Sequence, residues 1–119
     1  MKKLFVDDIR KAPDDSWHVV RTVTEAIRAI DRFEFDVISL DHDISHYENL
    51  DWDDCDQPVR ECKETFAAVA YYIAAKYGFS TDSSHTPKVI LHTANSVGGD
   101  EMAYILATAM IVAEKKYTI

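Results

Sequence analysis

Short apolar runs of strand type alternate along this chain with segments of helical periodicity, and this alternation restricts the fold more than any other feature. The run FDVISL (35–40) is almost continuously apolar, which is typical of a strand buried on both faces of a parallel sheet. Similar runs are KKLFV (2–6), WHVVRT (17–22) and KVILHTA (88–94). Strands that alternate with helices predict an α/β domain with a doubly wound parallel sheet, in which right-handed crossovers place helices on both faces.

The helix after the second run has a recognisable start. Thr22 and Glu25 form a Thr-x-x-Glu capping box, in which each side chain bonds the backbone N–H of the other residue. The helical spacing of the next apolar residues predicts a buried face formed by Val23, Ile27 and Ile30.

Two more helices are predicted from apolar periodicity. One covers residues 60–77 and stops at Gly78, a residue type that commonly ends helices. The other covers residues 100–115, begins with two acidic residues that suit a helix N-terminus, and follows a turn formed by NSVGG (95–99). Because this last helix is apolar nearly all round, we expect it to be buried, either in the core or in a homodimer interface.

The composition limits the partners and the location. The net charge of −8 argues against a broad nucleic-acid surface, because affinity for nucleic acid comes mostly from neutralised phosphates. With 119 residues and no linker-like tract, the chain is expected to form one domain, 1–119. No apolar leader or membrane span is predicted. Cys55 and Cys62 are interpreted as reduced thiols of a cytoplasmic protein. The alternative is a disulfide or a zinc pair, although their spacing fits no common zinc pattern.

Reactive side chains follow three of the predicted strands at the point where each strand ends. They are Asp7 and Asp8 after the first run, Asp41, His42 and Asp43 after the third, and His92, Thr93 and Asn95 after the fourth. Because parallel strands bring their carboxyl ends to one edge, and ligands of open α/β sheets bind there, these groups predict a functional site.

These residues resemble the receiver domain of two-component response regulators. That resemblance implies that the acidic pair binds Mg²⁺, that Asp41 corresponds to the phosphate-accepting Asp, and that the hydroxyl residue Thr93 contacts a phosphoryl group. Two features depart from it. A loop replaces the first crossover helix, and no Lys-Pro follows a fifth strand, so the receiver's phosphate-binding lysine is missing. Its absence disfavours signalling through an aspartyl phosphate.

The closer resemblance is to the cyclic-phosphate processing receiver-like family. LFVDDIRKAP, WHVVRT, ISLDHDI and ILHTANSVGGDEM are similar to its motifs, in order, over nearly the whole chain. The resemblance implies a receiver-like, flavodoxin-like sheet with strand order 2-1-3-4 and a loop as the first crossover. The residues KYTI (116–119) suggest a short fifth strand. The acidic segment YENLDWDDCDQ (47–57) stands where a Gly-bearing loop is expected.

Three carboxylates make this edge a candidate metal site. Asp7, Asp8 and Asp41 would repel one another if they were close and ionised, and a divalent cation such as Mg²⁺ or Mn²⁺ would remove that conflict. The alternative is that they are solvated turn residues at strand ends.

Two histidines are candidates for acid–base chemistry. His42 and His92 end neighbouring strands and could act as general acid and base on a phosphodiester, with Asp43 orienting one imidazole. The alternative is a pair of structural histidines bonded to backbone or Asp. His42 and His46 also match the H-x-x-x-H spacing of zinc proteases, but that site needs a helix and here the motif follows a strand.

The candidate substrate-binding residues are Arg10, Thr93, Asn95, Gly98 and Gly99. The two glycines precede the predicted last helix, whose exposed N–H groups suit a phosphate, although a tight turn would also explain them. Arg10 could contact a phosphate or pair with an Asp.

Together these features predict a metal-assisted phosphoesterase acting on a cyclic phosphate of a nucleotide or an RNA end. The alternative is a non-catalytic receiver-like module that binds a phosphorylated small molecule or a partner protein.

Overall fold

A computed structural model describes residues 2–42, 65–78, 86–93 and 96–115 of the chain. The helices and strands are β1 (Lys3–Val6), β2 (Trp17–Val20), α1 (Val23–Arg32), β3 (Val37–Leu40), α2 (Ala67–Tyr77), β4 (Lys88–Leu91), α3 (Ser96–Thr108) and β5 (Ala113–Lys115). Some predictions fall outside the described residues, namely those for 47–57, 60–64, 116–119, Asp43, His46, Cys55, Cys62 and Asn95.

The strands form one parallel sheet in the order β2-β1-β3-β4-β5. This confirms the α/β receiver-like fold, the 2-1-3-4 strand order and the loop that replaces the first crossover helix. The fifth strand exists, but it is Ala113–Lys115 and pairs with β4, so it lies where the last helix was expected to continue.

The core lies on one face of this sheet. Leu4, Ile38 and Val89 stand side by side in register, and their side chains join the helices in a single hydrophobic cluster. The crossovers that contain α1, α2 and α3 all step in the same direction across the sheet, so their right-handed course puts the three helices on one side. Among the described residues the opposite crossover is the loop between β1 and β2, and the described helices therefore all lie on one face of the sheet.

Helix α1 begins where the capping pattern predicts. The backbone N–H of Glu25 donates to Oγ1 of Thr22 at 3.1 Å. The second bond of this cap differs from the usual box, since the Thr22 hydroxyl donates to the Glu25 carboxylate at 3.1 Å. The buried residues of the helix are Val23, Ala26, Ala29 and Ile30, and Ile27 is half-buried.

Helix α3 differs from the prediction at both ends. It begins at Ser96 rather than residue 100, so the expected turn is its first helical turn, and it ends at Thr108 rather than near Lys115. The end is set by Met110, whose φ of 65° is left-handed, and by a hydrogen bond of 2.8 Å from Ile111 N to Leu106 O. Glycine usually occupies such a position, and the chain offers none there, so the sequence contains no signal for this stop.

The broad apolar surface of α3 is divided between core and solvent. Met102, Ile105 and Leu106 are buried, whereas Val97 and Tyr104 are 77% and 72% exposed. The exposed residues are the ones that a homodimer interface would cover, and that interface stays a prediction. Within the described parts of the chain, no helix has the length and apolar character needed to cross a bilayer.

Truncation of a buried side chain on α3 should lower the stability of the protein. Ile105→Ala should lower the free energy of unfolding by about 2–5 kcal/mol, because it removes buried methyl groups and leaves a cavity. Tyr104→Ala on the same helix is the control and should change it by at most about 0.5 kcal/mol. Urea unfolding measures both, and similar losses for the two variants would contradict this packing.

Candidate functional site

The carboxyl edge of the sheet aligns the ends of β1, β3 and β4. Register places Val6 beside Leu40 and Leu40 beside Leu91. The ladder continues one residue further, since Asp41 N donates to Val6 O and His92 N donates to Leu40 O, both at 2.9 Å. The residues that follow the three strands are therefore held by backbone hydrogen bonds in neighbouring positions.

Asp7, Asp8 and Asp41 come together at this edge. Each offers a carboxylate oxygen, and these oxygens all lie within 4.8 Å of one another. Asp7 is fully buried, Asp41 is 7% exposed, and Asp8 is half-buried. An all-oxygen donor set of this kind matches the preference of Mg²⁺ and similar hard cations.

Asp7 is fixed by several donors. Its Oδ1 accepts hydrogen bonds of 3.0 Å from the backbone N–H groups of Ile9 and Arg10, and its Oδ2 lies 3.0 Å from Nε2 of His92. Burial by itself raises the pKa of Asp7, but these hydrogen bonds outweigh it and hold the pKa below the usual 3.8. Asp7 is therefore ionised in a fixed orientation.

Asp41 has the opposite character. Burial raises its pKa, and the negative charge of Asp7 raises it further. The hydrogen bond of 2.8 Å from His42 N and the bond to the Thr93 side chain oppose this, without reversing it. The protein thus holds two adjacent carboxylates of which one resists ionisation, and a nearby cation would relieve that conflict.

His92 spans the neighbouring strand. Its Nδ1 lies 2.6 Å from Oγ of Ser39 on β3, and its Nε2 reaches Asp7 beyond β1. The imidazole also stacks on Phe5 of β1, with ring centroids 4.5 Å apart and planes 9° apart. Both ring nitrogens therefore have partners within the protein, and the imidazole helps to orient the carboxylate of Asp7.

His42 lies against a different part of the fold. Its ring packs on the first turn of α3, where a Cβ added to Gly98 would lie 2.4 Å from the ring atoms Cγ and Nδ1. Its Nε2 lies 3.5 Å from Oε2 of Glu101, one turn further along the helix. Its carbonyl accepts a hydrogen bond of 2.9 Å from Phe66 N. The imidazole is thus enclosed by α3 rather than by the sheet.

Two arginines hold the backbone around the site. Arg10 donates to the carbonyl of His92 at 2.9 Å, which joins the loop after β1 to the end of β4. Arg21 donates to the carbonyls of Asp7, at 3.0 Å, and Arg10. Each guanidinium therefore has a role in fixing the loop, and the phosphate contact of Arg10 stays a prediction.

The structure brings most of the predicted site residues to this edge. Those in or beside the acidic cluster are Asp7, Asp8, Asp41, His42, His92 and Thr93. Gly98 and Gly99 are buried in the first turn of α3, and Gly98 faces the ring of His42. The cavity at the other end of the sheet has none of these residues and is lined by Lys2, Lys3, Ser16, His18, Phe33 and Phe35.

Three residues of the site were not predicted. Ser39 could have been noticed as the polar residue within the buried run VISL, because a buried polar side chain needs a partner. Phe5 has no such signal, since an aromatic residue in a strand is ordinary. Glu101 was assigned to the end of a helix, and only the packing of α3 brings it to His42.

The sheet order and its acidic edge define a receiver-like α/β domain. The model of the cyclic-phosphate processing receiver domain matches residues 2–108, and the protein belongs to that family. No curated protein and no solved structure gives a significant match to the chain.

Neutralising the two buried carboxylates should change stability in opposite directions when divalent cations are removed. Asp41→Asn should raise the free energy of unfolding at pH 7, because folding disfavours the charged form of this residue. Asp7→Asn should lower it by about 1.5–3 kcal/mol, because charge-assisted hydrogen bonds are lost. Urea unfolding in the presence of a chelator measures both.

The exposed Asp15→Asn variant controls for the general effect of removing one charge from a protein of net charge −8. The gain in Asp41→Asn should fade as pH falls through the raised pKa of Asp41. The loss in Asp7→Asn should fade only below 3.8, the ordinary value. Changes of the same sign, after subtraction of the control, would refute the assignment.

Proposed function

We propose that this protein is a metal-assisted phosphoesterase that opens a cyclic phosphate on a nucleotide or an RNA end. The main support is the cluster of three carboxylates, with oxygens within 4.8 Å of one another, beside two histidines. The match to a family of cyclic-phosphate processing receiver domains supports the choice of substrate class.

Asp7, Asp8 and Asp41 would hold the cation, Mg²⁺ or Mn²⁺. Asp7 is already oriented by two backbone N–H groups and by His92, so little ordering would be needed to form the site. A bound cation would supply a positive charge that stabilises the negative oxygens of the phosphate. Thr93, which hydrogen-bonds Asp41, would stand close to the same phosphate.

The two histidines would have different roles. Hydrolysis of the cyclic ester removes a proton from the attacking water and delivers one to the oxygen that leaves phosphorus when the ring opens. We assign this proton transfer to His42, because an imidazole suits it near neutral pH and this residue adjoins Asp41. The bonds of both His92 nitrogens, to Ser39 and Asp7, favour a role in orienting Asp7.

The same bonds also give specific support to the second candidate, a non-catalytic module. A histidine that is bonded on both nitrogens to protein groups suits a structural role, and an acidic cluster can hold a cation and a phosphate without turning the ligand over. In that case the ligand would be a phosphorylated small molecule or partner protein.

A divalent cation should raise the melting temperature, because a ligand that binds only the folded state stabilises it. Asp8→Asn should abolish the rise, while the exposed Asp15→Asn should keep it. Thermal unfolding with and without Mg²⁺ or Mn²⁺ is the measurement. A rise that survives in Asp8→Asn would show that the cation binds elsewhere.

Turnover should depend on His42. Single-turnover hydrolysis of 2′,3′- and 3′,5′-cyclic nucleotides with Mg²⁺ or Mn²⁺ should be slower by about 10²- to 10⁴-fold in His42→Ala, the usual contribution of acid–base catalysis. His18→Ala, an exposed histidine on β2, is the control. Full activity in His42→Ala would refute the proton-transfer role. Saturable binding by the wild type without turnover would favour the module.

A further inference from the structure

Helix α3 begins with an unfavourable choice of residues that its contact with His42 explains. Gly98 and Gly99 lie in its first turn, although glycine destabilises a helix relative to alanine. A Cβ on Gly98 would lie 2.4 Å from Cγ and Nδ1 of His42 and 2.8 Å from Cδ2. Any other residue at position 98 would therefore overlap the face of the imidazole.

The next turn of the helix brings a carboxylate to the edge of the same ring. Oε2 of Glu101 lies 3.5 Å from Nε2 of His42. The adjacent acid, Asp100, is directed elsewhere, because it receives a hydrogen bond of 2.8 Å from Nζ of Lys115 on β5. Of the two acids that begin the predicted helix, one therefore ties α3 to the sheet edge and the other faces the histidine.

We propose that Gly98 and Glu101 are the positioning residues of His42. Gly98 gives the imidazole a flat surface to lie on, and Glu101 accepts a hydrogen bond from Nε2–H, which selects one tautomer and one ring orientation. This inference rests on the proposed function only for its catalytic role, in which a carboxylate on α3 orients the imidazole that transfers the proton. The contact itself does not depend on any reaction.

Gly98 and Glu101 can both face His42 because they are three residues apart on helix α3. Residues three apart lie on the same side of an α-helix, so the side that presents Gly98 to the ring also presents Glu101. The carboxylate is 55% exposed and lies 3.5 Å from Nε2, so the proposed hydrogen bond requires a small rotation of its flexible side chain. Orienting bonds of catalytic groups are often long before substrate binds.

The first test needs no activity. Gly98→Ala should lower the melting temperature of the otherwise unchanged protein, because the new methyl group meets His42. In the His42→Ala background the ring is gone, and Gly98→Ala should then raise the melting temperature, because alanine favours the helix. A change of the same sign in both backgrounds would overturn the role of Gly98.

The second test measures the tautomer of the His42 imidazole directly. ¹⁵N chemical shifts of the His42 imidazole should report a single Nε2–H tautomer in the wild type and a mixture of tautomers in Glu101→Ala. Glu101→Gln, which keeps an acceptor oxygen, should retain the wild-type tautomer. Asp100→Asn removes one charge from the neighbouring position and should leave the spectrum unchanged. An unaltered tautomer in Glu101→Ala would overturn the role of Glu101.

The kinetic test separates positioning from binding. Glu101→Ala should lower kcat for a cyclic nucleotide by about 10- to 100-fold, the cost of a misplaced catalytic group, with KM nearly unchanged. In the His42→Ala background the same change should have no further effect, because Glu101 acts through that ring. If the losses in kcat from Glu101→Ala and His42→Ala multiply in the double variant, the proposal is overturned. A wild type without turnover would defeat the proposed function alone, and the tautomer and melting experiments would still decide the positioning.

Discussion

The hydrogen bond between the carboxylate of Asp7 and the imidazole of His92 is the contact on which the candidate site depends. It joins the ends of β1 and β4, two strands that are separated in the sheet by β3. The ring reaches across because Ser39 on the intervening strand is small and bonds its other nitrogen, while Phe5 forms a flat surface beneath it. A large side chain at position 39 would obstruct this path.

That contact makes the carboxylates of the site unequal. Asp7 receives enough hydrogen bonds to stay ionised while fully buried. Burial raises the pKa of Asp41 at the end of the next strand, and the charge of Asp7 adds to this effect. The same contact makes the histidines unequal. His92 is bonded on both nitrogens to residues of the sheet, whereas His42 packs against α3 and faces Glu101.

The shortened first crossover has a structural consequence for this site. A loop, rather than a helix, runs from β1 to β2, and Arg10 within it donates to the carbonyl of His92. Arg21 at the end of β2 holds the same loop through the carbonyls of Asp7 and Arg10. Two guanidinium groups thus fix the chain beside the acidic cluster.

The sequence by itself predicted the parallel sheet and the edge that carries the reactive groups, and its resemblance to a receiver-like family implied the strand order. Apolar runs buried on both faces, a capping pair before α1 and charged residues at the strand ends are local patterns, and each reports on its own element. The end of α3 was missed because Met110 adopts a left-handed conformation that gives no signal in sequence. Because a loop forms the first crossover, the described helices lie on one face of the sheet.

Only the tertiary structure decided which side chains meet. Ser39 and Phe5 bind His92 because strands far apart in sequence lie side by side in register. Helix α3 begins at Ser96, four residues before Asp100, where its start was predicted. Gly98 therefore lies in the first helical turn beneath the ring of His42, and Glu101 lies one turn further on, at the edge of that ring. Strand and helix patterns depend on neighbours along the chain, whereas these contacts depend on how the elements pack, and the local pattern does not contain that information.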